Sequence, residues 1–242
     1  MNLNKAFWNV YAFFYKRTTN FSVAHQGMFK DATEALQVDD GYKVLDAGCG
    51  SGDLEYYLLK AKKDICIMGI DFSEEMLRSA QKKYKSHKNI NFKKANLNEK
   101  LCFNDESFDR IVCVSVLFSL KNVSHTLKEF SRVLKTHGII VLIEPEPNFN
   151  YGKIAQKNFR EVGKYNYLAK IKWYSTFILK IPSIVTMYLM NLIMDSWTNK
   201  DAYHYYTKGE FIDRIQEAGL QIINSKKTLA DQDNLIIAVK RS

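Results

Sequence analysis

The sequence of 242 residues lacks the cysteine and apolar patterns that mark several protein classes. Its four cysteines, Cys49, Cys66, Cys102 and Cys113, form no Cys-x-x-Cys pair and have no histidine pair nearby, which argues against a metal site. No uncharged apolar stretch reaches about 18 residues, so no membrane span is expected. No small-residue cleavage site follows the aromatic N-terminus, which argues against a signal peptide. We therefore expect a reduced, cytoplasmic protein without a metal, with Cys66 and Cys113 as small core residues.

Acidic residues are scarce in two stretches. Residues 82–94 contain six lysines and no acid, and residues 150–182 contain six lysines, one arginine and one glutamate. Each stretch carries +6, against +9 for the whole chain, so the remainder is slightly acidic. A basic balance is compatible with nucleic acid, an anionic membrane or an acidic small molecule, and does not choose among them. The first stretch is typical of the solvated end of a helix and its loop.

Three of the eleven glycines fall within five residues, at Gly48, Gly50 and Gly52. A short apolar run precedes them, and apolar residues at helical spacing follow, which predicts a strand, a tight turn and a helix. Glycine accepts a positive φ and lets a ligand approach the backbone closely. The start of the helix adds unpaired N–H groups and a positive dipole end. The turn therefore predicts a small-molecule site.

Strand and helix patterns alternate along most of the chain. Strands are expected at 43–47, 65–70, 90–94, 108–115, 139–144, 220–227 and 233–240, and helices at 22–37, 53–62, 73–86, 123–135 and 208–218. This alternation predicts an α/β fold with a doubly wound, mostly parallel seven-stranded sheet, whose last two strands are antiparallel neighbours. We divide the single domain into N-terminal helices 1–40, a ligand-binding core 41–147, a helical insertion 148–200 and a C-terminal helix with a β-hairpin, 201–242.

The glycine turn does not fit a diphosphate ligand. In the dinucleotide pattern Gly-x-Gly-x-x-Gly the third glycine packs helix against strand. That position holds Asp53 when counted from Gly48, and Glu55 when counted from Gly50. No Gly-Lys-Ser/Thr follows, which excludes a P-loop.

The pattern that fits is Asp46-x-Gly48-x-Gly50-x-Gly52, which resembles motif I of the class I S-adenosylmethionine-dependent methyltransferases. Further segments resemble that family in order: Gly69-Ile-Asp71-Phe-Ser-Glu-Glu-Met76, the stretch from Asn96 to Asp109, and the stretch from Leu127 to Gly138. Together they cover about residues 40–145 and the C-terminal helix and hairpin. The resemblance implies a Rossmann-like methyltransferase fold that binds S-adenosylmethionine and releases S-adenosylhomocysteine.

The resemblance also implies roles for individual residues. Asp46 would accept a hydrogen bond from the ligand's ammonium group, Asp71 would bind the ribose hydroxyls, and Phe72 and Met76 would enclose the adenine. Two structural alternatives stay open, because Asp46 could merely cap the turn and Asp71 the next helix. The expected cofactor site comprises Tyr15, Asp46, Gly48, Cys49, Gly50, Gly52, Asp71, Phe72, Met76, Asn96, Leu97 and Ser115.

The methyl acceptor is less well defined by the sequence. The fourth strand is followed by Val114-Ser-Val-Leu-Phe118 and not by Asn/Asp-Pro-Pro-Tyr/Phe, so the chain resembles the branch that methylates small molecules. Residues 3–17 hold six aromatics and residues 150–182 hold seven. We expect both segments to form a lid over an apolar or aromatic acceptor, such as a natural product, a quinone or a lipid-like molecule. Residues 3–17 could instead simply pack on the domain.

Three residues near the expected acceptor are candidate general bases: Glu144, His204 and Tyr203. The other histidines fall on expected helix or turn surfaces: His25, His87, His125 and His137.

Several alternatives remain at this point. The basic, aromatic insertion could bind RNA, although a nucleic acid is the less favoured partner. Residues 164–194 resemble an interfacial helix that could touch an anionic membrane. The apolar stripe at 184–193 could form a homodimer contact or a pocket wall. A non-catalytic module that binds S-adenosylmethionine is a further reading.

Overall fold

In the computed structural model, a seven-stranded sheet carries helices on both faces. Residues 10, 13–15, 17–19, 21–197 and 204–241 are described by the structure. The strands are β1 Lys43–Ala47, β2 Cys66–Asp71, β3 Ile90–Lys94, β4 Phe108–Val114, β5 Leu134–Pro145, β6 Leu220–Thr228 and β7 Asp233–Lys240. The helices are α1 Val23–Leu36, α2 Leu54–Ala61, α3 Glu74–Lys83, α4 Val123–Val133, α5 Tyr151–Val162, α6 Tyr167–Trp197 and α7 Lys208–Glu217, with a 3₁₀ turn at Leu117–Ser119. Described residues before Phe21 are helical.

The strand order is β3-β2-β1-β4-β5-β7-β6. All neighbours from β3 to β5 are parallel, and β7 runs antiparallel between β5 and β6. This confirms the predicted doubly wound, mostly parallel sheet and its antiparallel final pair. The order reverses between β1 and β4, and ligands of such sheets bind at the carboxyl ends of the strands flanking that point. The glycine turn directly follows β1 and therefore lies at this crevice.

Apolar residues fill both faces of the sheet. On one face Phe130 of α4 and Phe211 of α7 belong to a buried cluster with the central strands. On the other face Met28 and Leu36 of α1 and Leu58 of α2 do the same. The side chains of Phe130, Leu36 and Leu58 are completely buried. Burial of such side chains contributes about 1.5–3 kcal/mol each relative to exposure, which holds the sheet between its two helical layers.

Some boundaries differ from the sequence prediction. The fifth strand begins at Leu134 and not at residue 139, because Leu134 pairs with Phe108 before a register shift in the β4–β5 ladder. His137 accommodates that shift with a φ of 64°. The expectation that Cys66 is a core residue is wrong, since Cys66 is exposed at the start of β2, whereas Cys113 is buried as predicted.

Local capping explains where several helices begin. The Ser73 hydroxyl accepts from the Met76 amide at the start of α3. At the start of α7, Thr207 and Glu210 form a complete capping box, which satisfies two otherwise unpaired backbone donors.

The insertion contains α5 and the 31-residue α6, which has Pro182 in its interior. Within the described ranges, no helix has the length and hydropathy required to cross a bilayer.

Candidate active site

The glycine turn is fastened to the end of β2. The amides of Gly48 and Cys49 both donate to the Ile70 carbonyl, at 2.7 and 3.0 Å. Gly48, Gly50 and Gly52 have φ values of 85°, 53° and 75°, a region that side chains other than glycine rarely adopt. The backbone therefore turns sharply at the carboxyl end of β1.

The three glycines differ in what surrounds them. A Cβ atom on Gly48 would lie 2.3 Å from a methyl carbon of Val116, and one on Gly52 would lie 2.9 Å from the Tyr84 ring. A Cβ atom on Gly50 would meet only the Met76 sulfur, at 4.0 Å. Gly48 and Gly52 are thus required by packing, whereas Gly50 leaves a space beside Met76 that a ligand can fill.

Asp71 connects the turn to α3. One carboxylate oxygen accepts from the Gly50 amide at 2.9 Å and the other accepts from the Ser73 amide at 2.7 Å. Burial raises the pKa of Asp71. A carboxylate offers about four acceptor positions, so these two bonds leave room for hydroxyl donors. The contact with Ser73 shows that Asp71 also helps to begin α3.

A buried acidic cluster lies around the turn. Asp46 and Glu55 are buried, and burial followed by the charge of Glu55 raises the pKa of Asp46. Burial also raises the pKa of Glu55 to about 8. Nearby, Asp53 forms an ion pair with Lys83 at 2.8 Å. A ligand with positive charge would relieve the repulsion within the cluster and favour the ionised form of Asp46.

Other predicted cofactor residues follow the carboxyl ends of β2 and β3. Phe72 is exposed and Met76 is half-buried beside Gly50. Asn96 is exposed, and its side chain is held within its own loop by Asn98 and Glu99. Leu97 is buried, and its carbonyl accepts from the Thr126 hydroxyl at 2.7 Å.

An aromatic cavity of about 480 Å³ adjoins the turn. Ser115 lines the cavity, and its neighbour Val116 packs against Gly48, so one short segment touches both spaces. Predicted residues Tyr15 and Ser115 come together in the cavity wall. The aromatic residues lining the cavity are Tyr15, Phe21, Phe118, Phe149, Tyr151, Phe159, Trp173, Phe177, Tyr188 and Tyr205.

The geometry does not favour Glu144 or His204, two of the three residues predicted as general bases. The Glu144 carboxylate accepts hydrogen bonds from three backbone amides, those of residues 116, 117 and 118, at 2.9–3.1 Å. Burial raises the pKa of Glu144 to about 7. His204 is exposed, its amide donates to the Phe118 carbonyl at 2.8 Å, and its ring lies against Tyr206 rather than in the cavity wall. Tyr203 lies outside the described residues.

Two polar residues in the cavity wall escaped the sequence analysis. His25, expected on a surface, lines the cavity with its Nδ1 atom 2.9 Å from the Ser22 hydroxyl, and burial lowers its pKa to about 4. Its spacing of three from buried Met28 on α1 could have revealed this. Asp233 also lines the cavity and is completely buried. No local pattern distinguishes Asp233 from an exposed hairpin residue.

Comparison with known proteins agrees with this architecture. The profile of the methyltransferase domain family matches residues 38–210, and the chain belongs to that family. It is 38% identical over 124 residues to the demethylmenaquinone methyltransferase of Staphylococcus aureus strain MRSA252. That match covers 50% of each chain, so the protein is matched over about half the length of its curated relatives.

Solved structures share the fold over most of the chain. A methyltransferase from Haloferax volcanii, solved with the Trm112 methyltransferase activator, superposes with a TM-score of 0.66 at 17% identity and covers 97% of both chains. A SAM-dependent methyltransferase from Aquifex aeolicus gives 0.59 at 17% identity, over 88% of this chain and 89% of that one. These similarities confirm the predicted class I methyltransferase fold.

Proposed function

We propose that the protein transfers a methyl group from S-adenosylmethionine to a small, mainly apolar and aromatic acceptor. The observation that carries the proposal is the shared segment Ser115–Val116, which touches the aromatic cavity on one side and the glycine turn on the other. When bound, the cofactor supplies a methyl group on a positively charged sulfur. The protein's contribution is to align the acceptor with that group, since in-line displacement depends strongly on orientation.

The chemistry of the turn supports the assignment of the cofactor. Asp46 and its acidic neighbours suit an ammonium and a sulfonium, and would disfavour a diphosphate. The space beside Gly50 and Met76 would accept the adenosine. Asp71 retains acceptor positions for the ribose hydroxyls, and Phe72 would cover the adenine. Cys49 and Leu97 would contribute backbone contacts, and Asn96 would reach the adenine after releasing a loop contact.

The cavity supports an aromatic acceptor. Its walls combine the N-terminal helical segment, α5 and α6, which we propose act as a lid. The curated relatives are named for methylation of demethylmenaquinone, which supports a quinone-like ring as the acceptor of this chain. Within this site we propose that Glu144 positions the loop after β4 and is not the general base.

Binding and turnover measurements would test the proposal. Calorimetry should detect binding of S-adenosylhomocysteine, and Asp46→Asn should weaken it by about tenfold or more, because a charged hydrogen bond is lost. Asp40→Asn, at an exposed carboxylate in the preceding turn, is the control and should bind normally. With labelled S-adenosylmethionine, reduced naphthoquinones should be methylated in preference to small hydrophilic amines. A preference for the amines would contradict the proposed acceptor class.

A further inference from the structure

We infer that Asp233 binds a hydroxyl group of the methyl acceptor, which makes the acceptor a hydroxylated aromatic of the phenol or quinol class. This inference rests on the proposed function and narrows its substrate class.

Asp233 is a buried polar group without a partner. It begins β7, opposite Pro145 at the end of β5, and none of its surface is exposed. Within the described part of the chain, neither carboxyl oxygen has a hydrogen-bond partner. Leaving such a group unpaired destabilises the folded protein. Because Asp233 lines the cavity, a ligand in the cavity can supply the missing partner.

The surroundings of Asp233 indicate what kind of partner this is. Burial, and then the charge of Glu144, raises the pKa of Asp233 well above its usual range. Lys227 opposes this effect but is itself paired with Glu146. Burial and the charge of Glu144 both favour the neutral form of the carboxyl group, which can donate as well as accept a hydrogen bond. In an aromatic cavity, a neutral hydroxyl group on a flat ring is a better hydrogen-bond partner for this carboxyl group than a cation is.

A pair of ring compounds can test the inference. The dissociation constants of 2-naphthol and 2-methoxynaphthalene would be measured by calorimetry on the full chain with S-adenosylhomocysteine present. The native protein should bind the naphthol about tenfold more tightly, since its hydroxyl can both donate to and accept from Asp233, whereas the ether oxygen can only accept. Asp233→Leu should abolish this preference, and Asp233→Asn, which keeps the shape and some polarity, should retain part of it. Asp231→Asn, at an exposed site on the same hairpin, should leave the preference unchanged.

The outcomes separate the inference from the proposed function. Equal affinities of the native protein for both ring compounds, or an undiminished preference in Asp233→Leu and Asp233→Asn, would overturn the inference alone. Tighter binding of 2-naphthylmethylamine than of 2-naphthol would overturn it in favour of a cationic acceptor. Failure to bind S-adenosylhomocysteine would overturn the proposed function, whatever the ring compounds do.

A different observation carries a second inference: we propose that one face of α6 docks on an anionic membrane surface. Large apolar side chains recur along this helix at alternating spacings of four and three residues and are between 41% and 76% exposed. They are Tyr167, Ile171, Tyr174, Ile178, Ile181, Val185, Tyr188 and Leu192. Leu168 and Leu179, beside this row, are 76% and 79% exposed. An exposed apolar row of this length is uncommon on a protein without a partner surface.

The charges around the row select the partner. Residues 163–194 contain four lysines and no acidic residue. Lys164 is paired with Glu161 of α5 and Lys180 donates to the Arg17 carbonyl. Lys170 and Lys172 therefore provide the charges for a lipid surface. A second copy of α6 would bring the same lysines to the contact, with no acid to offset them. Anionic lipid headgroups attract lysines such as Lys170 and Lys172, while the apolar side chains enter the interface. Ile184 and Met187 of the same helix line the cavity, as do Val185 and Tyr188 of the row itself, so an apolar acceptor dissolved in the membrane would lie close to its site.

Vesicle co-sedimentation tests this surface. The full chain should bind equimolar phosphatidylglycerol and phosphatidylcholine vesicles and leave pure phosphatidylcholine largely unbound. The double variant Leu168→Gln/Leu179→Gln should bind anionic vesicles about tenfold or more weakly, since two exposed leucines are removed. The double variant Lys170→Gln/Lys172→Gln should weaken binding to a similar extent, since two positive charges are removed. Ile223→Gln, at an exposed position on β6, should have no effect. The proposal would be overturned if the protein sedimented equally with neutral vesicles or did not bind anionic vesicles. It would also be overturned if the protein formed dimers that depend on Leu179 and did not bind vesicles.

Discussion

Gly48 and Gly41 share a left-handed backbone but differ in their surroundings. Their φ values are 85° and 80°, yet an added Cβ atom meets Val116 at 2.3 Å in the first and nothing within 4 Å in the second. Gly48→Ala should therefore displace Val116 and weaken binding of S-adenosylhomocysteine by about tenfold or more. Gly41→Ala carries only the backbone strain, about 1 kcal/mol of stability, and should bind normally. Calorimetry and thermal unfolding of both variants would check this, and equal affinities would contradict it.

Glu55 should make the stability of the protein fall as the pH rises. Its pKa is raised from 4.5 to about 8, so the folded state holds a proton that the unfolded state releases between these values. This contribution is complete below the lower value and is lost as the pH rises through the higher one. At about pH 8.5, Glu55→Gln should therefore be more stable than the native protein by about 1 kcal/mol or more. At about pH 5 the two proteins should unfold at similar temperatures.

The exposed carboxylate of Glu217 provides the control for this prediction. Glu217→Gln should follow the native protein across the whole pH range in the same melting experiments. If Glu55→Gln gains no stability at alkaline pH, the buried carboxyl group is not the source of the pH dependence.

Individual site residues were predictable where chemistry and spacing coincide. Asp46 and the three glycines belong to one short motif, so their positions follow from the sequence alone. Asp233 becomes notable only because β5 and the cavity surround it. The sequence cannot show this, since the burial of Asp233 depends on segments more than 80 residues away.

Among the structural elements, the loop after β4 depends on a residue at the end of β5. Glu144 accepts from the amides of residues 116–118, and Val116 packs on the glycine turn. In Glu144→Gln an amide group would face a backbone donor, which should cost about 1–3 kcal/mol of stability. Weaker binding of S-adenosylhomocysteine should follow from the displaced loop. Thermal unfolding and calorimetry would measure the two effects.

Glu146→Gln is the matched control, because Glu146 is an acid two residues away with an ion pair to Lys227 that is partly exposed. It should lose less than about 1 kcal/mol. If Glu144 were instead the general base, Glu144→Gln would keep its stability and cofactor affinity and lose the pH dependence of methyl transfer near its pKa. That result would contradict the positioning role.

Secondary-structure elements were largely predictable because their signals are local. Buried β-branched runs identified the parallel strands, and the helices predicted at 73–86 and 208–218 begin beside the capping residues Ser73 and Thr207. The start of β5 was missed because pairing with Phe108, rather than the local sequence, determines it. The path of α6 was equally hard to predict, since its two faces meet different environments.

Across the whole molecule, the cavity is assembled from segments far apart in sequence. Trp173 of α6 donates to the Phe21 carbonyl at 3.2 Å, across 152 residues. Asn158 of α5 lies beside the start of α1, across 136 residues. The strands of the sheet can be predicted one after another from local sequence patterns, whereas these long-range contacts cannot. This explains why the methyl donor was inferred from the sequence in detail and the acceptor only as a class.

The contacts of Asn158 give a prediction at this scale. Its side-chain oxygen accepts from the Ala24 amide at 2.9 Å, and its amide group bonds to the Ser22 hydroxyl at 3.2 Å. Asn158→Ala leaves these buried groups unpaired and should cost about 1–3 kcal/mol of stability. Because Ser22 in turn bonds to His25 in the cavity wall, affinity for 2-naphthol should fall.

Binding of S-adenosylhomocysteine should be unchanged in Asn158→Ala, because the glycine turn lies on other elements. Gln156→Ala, at an exposed position of the same helix, controls for helix propensity and should behave like the native protein. Thermal unfolding and calorimetry with each ligand separate these effects. Equal losses for both ligands would mean that α5 supports the whole fold rather than the acceptor cavity. Selective loss of 2-naphthol would show that the donor and acceptor sites depend on separate parts of the chain, one contiguous in sequence and one assembled across it.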